Sequence, residues 1–137
     1  MHHELDEAPG TWHLGAVDAA GRVLAISSFY PVACPLRPEA QPAVQLQFMA
    51  VDPARQRQGA GSAVMAEALR RLKASSTVLL WANARDNAIP FYERFEFQVV
   101  AATAMVPAST GRPHHLILLD LDALRRGQAA DAADKRR

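Results

Sequence analysis

Between residues 51 and 62 the chain reads Val51-Asp52-Pro53-Ala54-Arg55-Gln56-Arg57-Gln58-Gly59-Ala60-Gly61-Ser62. An alternating, strand-like segment precedes this run and a helical period follows it. A helix start presents backbone N–H groups without intrahelical acceptors, together with the positive end of the helix dipole. Gly59 and Gly61 allow that backbone to approach a bulky anion and to adopt conformations closed to other residues. Arg55 and Arg57 can add charge-assisted hydrogen bonds at the rim. The expected ligand is a phosphate or pyrophosphate lying over Gln56, Arg57, Gln58, Gly59, Ala60, Gly61 and Ser62. The bland alternative is a helix start with solvated arginines. Two nucleotide-site readings fall away. No Gly-Lys-Ser/Thr follows, as an ATPase phosphate loop requires. Gly59-Ala60-Gly61 also lacks the third glycine of a dinucleotide fingerprint and stands too far from the strand.

Proton-transfer groups are few. Tyr92 lies on a predicted helix, and its pKa of ~10 keeps it protonated at neutral pH, ready to donate to a leaving group. Taken alone, such a tyrosine reads as a core aromatic. His114 and His115 have the right pKa for a base. As neighbours on a strand they face opposite ways, so at most one can enter a cleft. Asp86 and Glu4 are further candidates. His2 and His3 have no partners nearby and Cys34 is the single cysteine, so neither an internal disulfide nor a metal site is expected.

The elements that must carry these residues follow from hydrophobic periodicity. Trp12 to Asp18 and Arg22 to Val32 read as a hairpin turning at Asp18-Ala19-Ala20-Gly21, with Val23, Ala25, Ser27 and Phe29 on one face. Three prolines between Pro35 and Pro42 make a loop. Val44 to Val51 alternates, with Val44, Leu46, Phe48 and Ala50 on one face and Gln45, Gln47 and Met49 on the other. Gly61 to Lys73 is an amphipathic helix with Val64, Met65, Ala68, Leu69 and Leu72 inward. Thr77 to Asn83 reads as a buried central strand. Asp86 or Asn87 can cap a second helix with Pro90 in its first turn. Phe97 to Val106 and His114 to Leu121 complete a mixed α/β sheet.

Composition bounds the rest. The chain has 137 residues, half of them apolar, which suits one domain. No apolar run approaches the ~20 residues of a membrane span, and the first residues do not read as a signal peptide. A cytoplasmic location fits. Residues 123–137 hold five basic side chains against two acidic ones, leaving ten basic and twelve acidic in the body. The expected division is therefore a folded domain over 1–122 and a basic, partly disordered tail over 123–137. A slightly acidic body gives no nucleic-acid footprint.

Residues 49–97 resemble the GNAT superfamily of N-acetyltransferases. Met49-Ala50-Val51, Pro53 and Gln56-Arg57-Gln58-Gly59-Ala60-Gly61 resemble its motif A. Ala88-Ile89-Pro90-Phe91-Tyr92-Glu93-Arg94-Phe95-Glu96-Phe97 resembles its later Ala-x-x-Phe-Tyr-Glu-x-x-Gly-Phe helix. Ala84-Arg85 and Gly111-Arg112-Pro113-His114 look like one subgroup of small bacterial members with poorly defined substrates. The likeness covers roughly residues 12–121. It departs at Glu96, where the family has Gly, at Arg85, where many members have Asn, and at Gln45 and Gln47, where a glutamate base often stands.

The resemblance implies a mostly antiparallel sheet with splayed central strands and flanking helices. It implies acetyl-CoA as cosubstrate, with Met49 and Val51 bonding the pantetheine arm through their backbone, Tyr92 as general acid, and a primary amine as acceptor. The base stays open among His114, His115, Asp86, Glu4, a water chain, or arrival of an already neutral amine. The competing expectation is a silent CoA-binding regulatory or assembly module. The family fold begins with a strand and helices for which eleven residues before Trp12 leave no room. The expectation is therefore a homodimer covering the bare sheet edge, or a chain shortened at its amino terminus.

Overall fold

A computed structural model describes residues 9–55, 59–100 and 113–127. Within these residues six strands form one sheet: β1 (Trp12–Val17), β2 (Val23–Tyr30), β3 (Ala43–Val51), β4 (Leu79–Arg85), β5 (Gln98–Val99) and β6 (His114–Asp120). Their order is β1-β2-β3-β4-β6-β5. Helix α1 (Ala60–Lys73) joins β3 to β4, and a 3-10 turn (Asp86–Ala88) leads into the short α2 (Ile89–Glu93). Every strand pair is antiparallel except β3 with β4. The architecture is thus the mixed, mostly antiparallel α/β sheet with flanking helices that the sequence predicts.

The parallel pair opens the sheet. Its ladder is confined to Ala43↔Leu79, Val44↔Leu80 and Gln45↔Trp81, after which the two strands part. The separation starts beside an irregularity in β3. Gln47 pairs with Ser28 and Ala50 with Ile26, so three steps along β3 match two along β2. An extra residue of this kind bends the strand and resets its side-chain alternation. Met49 and Val51 consequently pack with the helix-side core, while Ala50 is exposed. The strict alternation expected through Ala50 is corrected on that account.

Apolar side chains cover both faces. On the helix side, Met65, Ala68, Leu69 and Leu72 of α1 meet Phe29, Val44, Leu46, Leu80, Ile117 and Leu119. The buried stripe of α1 is the one its period predicts. On the other face Leu79, Trp81, Leu116 and Leu118 pack with Cys34 and Ala43. The proline-rich loop is tied there by the Trp81 indole N–H, which donates to the Val32 carbonyl at 2.8 Å.

Other boundaries move. β2 stops at Tyr30, and β4 runs later than expected, from Leu79 to Arg85. β5 is described over two residues, and the rest of the expected strand to Val106 lies outside the described residues from 101 on. No side chain caps α2; the Asp86 carboxylate accepts instead from the Asn87 N–H at 2.9 Å. The boundary expected after residue 122 cuts through a helix over 121–127. The Arg125 guanidinium in that helix donates to the carbonyls of Leu72, Lys73, Ser75 and Thr77 and pairs with Asp122. The packed body therefore extends through this segment, and residues 128–137 lie outside the described ones.

Candidate active site

The two glycines that open α1 do different work. Gly59 is the N-cap, with φ +87°, in the left-handed region. A Cβ there would meet nothing within 4 Å, so this glycine serves the turn and leaves an open surface. A Cβ on Gly61 would sit 3.2 Å from Val51 Cγ2 and 3.8 Å from the Phe91 ring. Gly61 therefore serves close packing of α1 on β3 and α2. No side chain caps α1 and its first turn holds no acid. The Ala63 N–H is bonded to the Gly59 carbonyl at 2.9 Å. The N–H groups of Ala60, Gly61 and Ser62, one step earlier in the helix, have no intrahelical acceptor.

These N–H groups border a cleft of about 810 Å³ that fills the gap between β3 and β4. Met49, Val51, Gly59, Ala60, Gly61, Ser62 and Tyr92, all singled out in the sequence, line it together. Gln56, Arg57 and Gln58 lie outside the described residues. The cleft passes through the sheet. On the helix side it meets the start of α1, Phe91, Tyr92 and Arg94. The Arg94 guanidinium lies 5.5 Å from the Phe91 ring centre. On the opposite face it meets Gln45, Gln47, Asn83, Arg85 and His114. These share the face of Trp81, Leu116 and Leu118, as alternation along each strand requires.

Tyr92 is buried between Phe91 and Phe97, with ring centres 5.2 and 5.4 Å away. Burial pushes its phenol up to about 12, so the hydroxyl stays protonated across the neutral range. Of the two histidines, His114 enters the cleft. His115 points to the other face, where its Nδ1 is buried without a partner among the described residues. Asp86 does not line the cleft, and Glu4 lies outside the described residues. Asn83, Phe91 and Arg94 are lining residues that the sequence reading did not single out. For Asn83 a signal exists: with Arg85 it is polar in an otherwise apolar strand, at the end where the ladder has parted. Among the described residues no three metal-ligating side chains cluster, and no helix is long and apolar enough to cross a membrane.

Residues 13–99 match the family described as the acetyltransferase (GNAT) domain. The chain belongs to the GNAT acetyltransferase family. It is 31% identical over 116 residues to YitI, an uncharacterised N-acetyltransferase of Bacillus subtilis (strain 168), covering 85% of this chain and 74% of YitI. The fold is similar to that of the ribosomal-protein-S18-alanine N-acetyltransferase of Escherichia coli, with a TM-score of 0.68 at 22% identity over 85% of this chain and 72% of that one. It is also similar to an aminoglycoside 6'-N-acetyltransferase solved with coenzyme A, with a TM-score of 0.65 at 10% identity over 83% and 74% of the two chains. In this GNAT chain Glu96 holds φ +73°, a conformation that favours glycine. The family's helix-to-strand turn is thus kept without its glycine.

Proposed function

We propose that this GNAT protein transfers the acetyl group of acetyl-CoA to a primary amine. The observation that carries the reading is one cleft that joins the uncapped start of α1 to Tyr92 through the parted β3 and β4. The N–H groups of Ala60, Gly61 and Ser62 receive the pyrophosphate, and Arg94 adds charge beside Phe91 on the same side. A thioester arm running into the gap meets the backbone of Met49 and Val51 where β3 has parted from β4 and keeps only β2 as its neighbour, so that the edge facing the gap is open to it. A backbone N–H there polarises the thioester carbonyl.

The amine enters neutral, and its nitrogen bonds to the carbonyl carbon. The C–S bond then breaks and sulfur leaves as thiolate. Tyr92 donates a hydrogen bond to that sulfur. With its pKa raised it is a weak net proton source against a thiol of ~8.5, so the proton shed by the new amide nitrogen balances the one that sulfur gains. His114 is the titratable group on the acceptor side and the candidate base. A cytoplasmic location belongs to the same reading.

Thiol release from acetyl-CoA across an amine panel tests the function. Tyr92→Phe is expected to lower turnover by about 10²-fold with acetyl-CoA affinity nearly unchanged. Near-wild-type turnover with chemistry rate-limiting returns Tyr92 to the core. Binding without turnover for any amine favours the silent CoA-binding module.

We further propose a homodimer. Among the described residues β1 pairs only with β2, and Val17, Val23 and Ile26 on these strands are exposed. A second copy covering this edge would bury them. Light scattering at micromolar concentration reads the mass, and a monomer there removes this part.

A further inference from the structure

Among the described residues each mouth of the cleft carries one guanidinium. Among the described residues no Asp or Glu lines the cleft at all. Two guanidinium groups of the described residues line it, and they belong to opposite sides. Arg94 lies against Phe91, whose ring abuts Gly61 at the start of α1, so it serves the phosphate side. Arg85 ends β4 on the opposite face. It stands directly across from His114 in register, so the two side chains project together from one face. Nearby, the Gln47 amide donates to Gln45 Oε1 at 3.0 Å, so these two glutamines engage each other. Arg85 makes no ion pair among the described residues.

An amine acceptor arrives from water mostly as an ammonium. Among the described residues the acceptor mouth holds a guanidinium and no carboxylate, and such a mouth repels it. The same like charge lowers the ammonium pKa and favours the neutral nucleophile. The mouth thus assists deprotonation and weakens binding at once, and the lost attraction must come from elsewhere on the acceptor. A guanidinium supplies it to a carboxylate or phosphate through paired N–H donors. We propose that the acceptor is a small amine carrying its own carboxylate or phosphate, and that Arg85 holds this anion while the amine turns toward the thioester. The inference rests on the acetyl-transfer reading above. It disfavours polyamines and lysine-rich chains, for which the described cleft has no counter-charge.

Matched acceptors test it in a thiol-release assay with the whole protein. One pair is a set of amino acids with their methyl esters, a second is phosphoethanolamine with ethanolamine, and a polyamine stands alone. The member of at least one pair that carries the anion is expected to have a kcat/KM about tenfold or more above the partner that lacks it, and the pair that shows this identifies the anion. Arg85→Gln is expected to bring that ratio near one through a raised KM for the anionic member, with the KM of acetyl-CoA within about twofold. Arg85→Lys should restore part of the ratio. Equal or better use of the members that lack the anion, or of the polyamine, overturns the proposal. So does an Arg85→Gln variant that loses acetyl-CoA affinity and keeps the acceptor ratio, because Arg85 then serves the cosubstrate. Absence of thiol release with every acceptor overturns the transfer reading itself and this inference with it, an outcome distinct from turnover with the wrong acceptors.

Discussion

The two ends of α1 treat the same problem in opposite ways. Every helix leaves N–H groups unpaired at its start and carbonyls unpaired at its finish. At the finish this chain supplies its own partners. Arg125, about fifty residues downstream, donates to the carbonyls of Leu72, Lys73, Ser75 and Thr77 at 2.7–3.1 Å. The Ser75 hydroxyl donates to Leu72 as well, at 2.6 Å. Basic residues Arg70, Arg71 and Lys73 in the last turn suit the negative end of the dipole. At the start, among the described residues, the cap is a glycine, no side chain caps the helix and the first turn holds no acid. On the proposed reading a ligand completes the open end, and the contrast then separates backbone groups that serve stability from those that serve binding.

The largest expected effect comes from closing the open end. Ser62→Asp puts a carboxylate in the first turn, where it suits the helix dipole and costs the fold nothing. It also puts a negative charge against incoming phosphates. Acetyl-CoA affinity should fall by about 10²-fold or more, with the thermal midpoint unchanged or slightly raised. Calorimetric titration beside a melting curve reads both, and unchanged affinity in this variant removes the phosphates from α1. Ser62 is a sharper probe than Gly61, where any side chain meets Val51 first.

Opening the closed end should produce the complementary pattern. Arg125→Ala removes a half-buried guanidinium from four carbonyls and Asp122. Hydrogen bonds to a charged donor suggest a loss of about 2–3 kcal/mol, with water replacing part of it. Acetyl-CoA affinity of the folded variant should stay within about twofold, since Arg125 touches nothing in the cleft. A denaturant titration measures the first and isothermal titration the second. A stability change below about 0.5 kcal/mol would reduce the clamp to a surface contact.

The same contrast explains what was legible in the sequence. The open end is built from neighbours: a strand, two glycines and a helical period within residues 51–73, all readable locally. So are the two family motifs and, through them, about half of the cleft lining. The closed end depends on a guanidinium some fifty positions away, in a stretch whose composition reads as a solvated tail. Long-range partners of that sort leave no local mark. The bulge in β3 is missed for a related reason, since it is defined by the count of residues on β2 that it faces. The Arg85–His114 pair likewise needs the β4–β6 register before it can be seen.

The smallest expected effect concerns the second helix, whose end is closed by strain instead of by side chains. After α2 the Phe95 N–H bonds to the Tyr92 carbonyl at 2.9 Å and the Glu96 N–H to the Glu93 carbonyl at 3.0 Å. To make the turn into Phe97, Glu96 takes φ +73°. A residue with a Cβ pays about 1–2 kcal/mol for that conformation, and glycine pays none of it. Glycine in turn loses more chain entropy on folding, by about 0.5–1 kcal/mol. Glu96→Gly should therefore stabilise the protein by roughly 0.5–1 kcal/mol, or a few degrees in the thermal midpoint. Glu96→Ala keeps the strain and removes only the charge, so its midpoint should stay close to that of the parent. Because Tyr92 lies one turn upstream and packs on Phe97, a relaxed turn should leave its ring in place and turnover near the parent value. A drop in the Glu96→Gly midpoint would mean that the glutamate side chain contributes more than the strain costs.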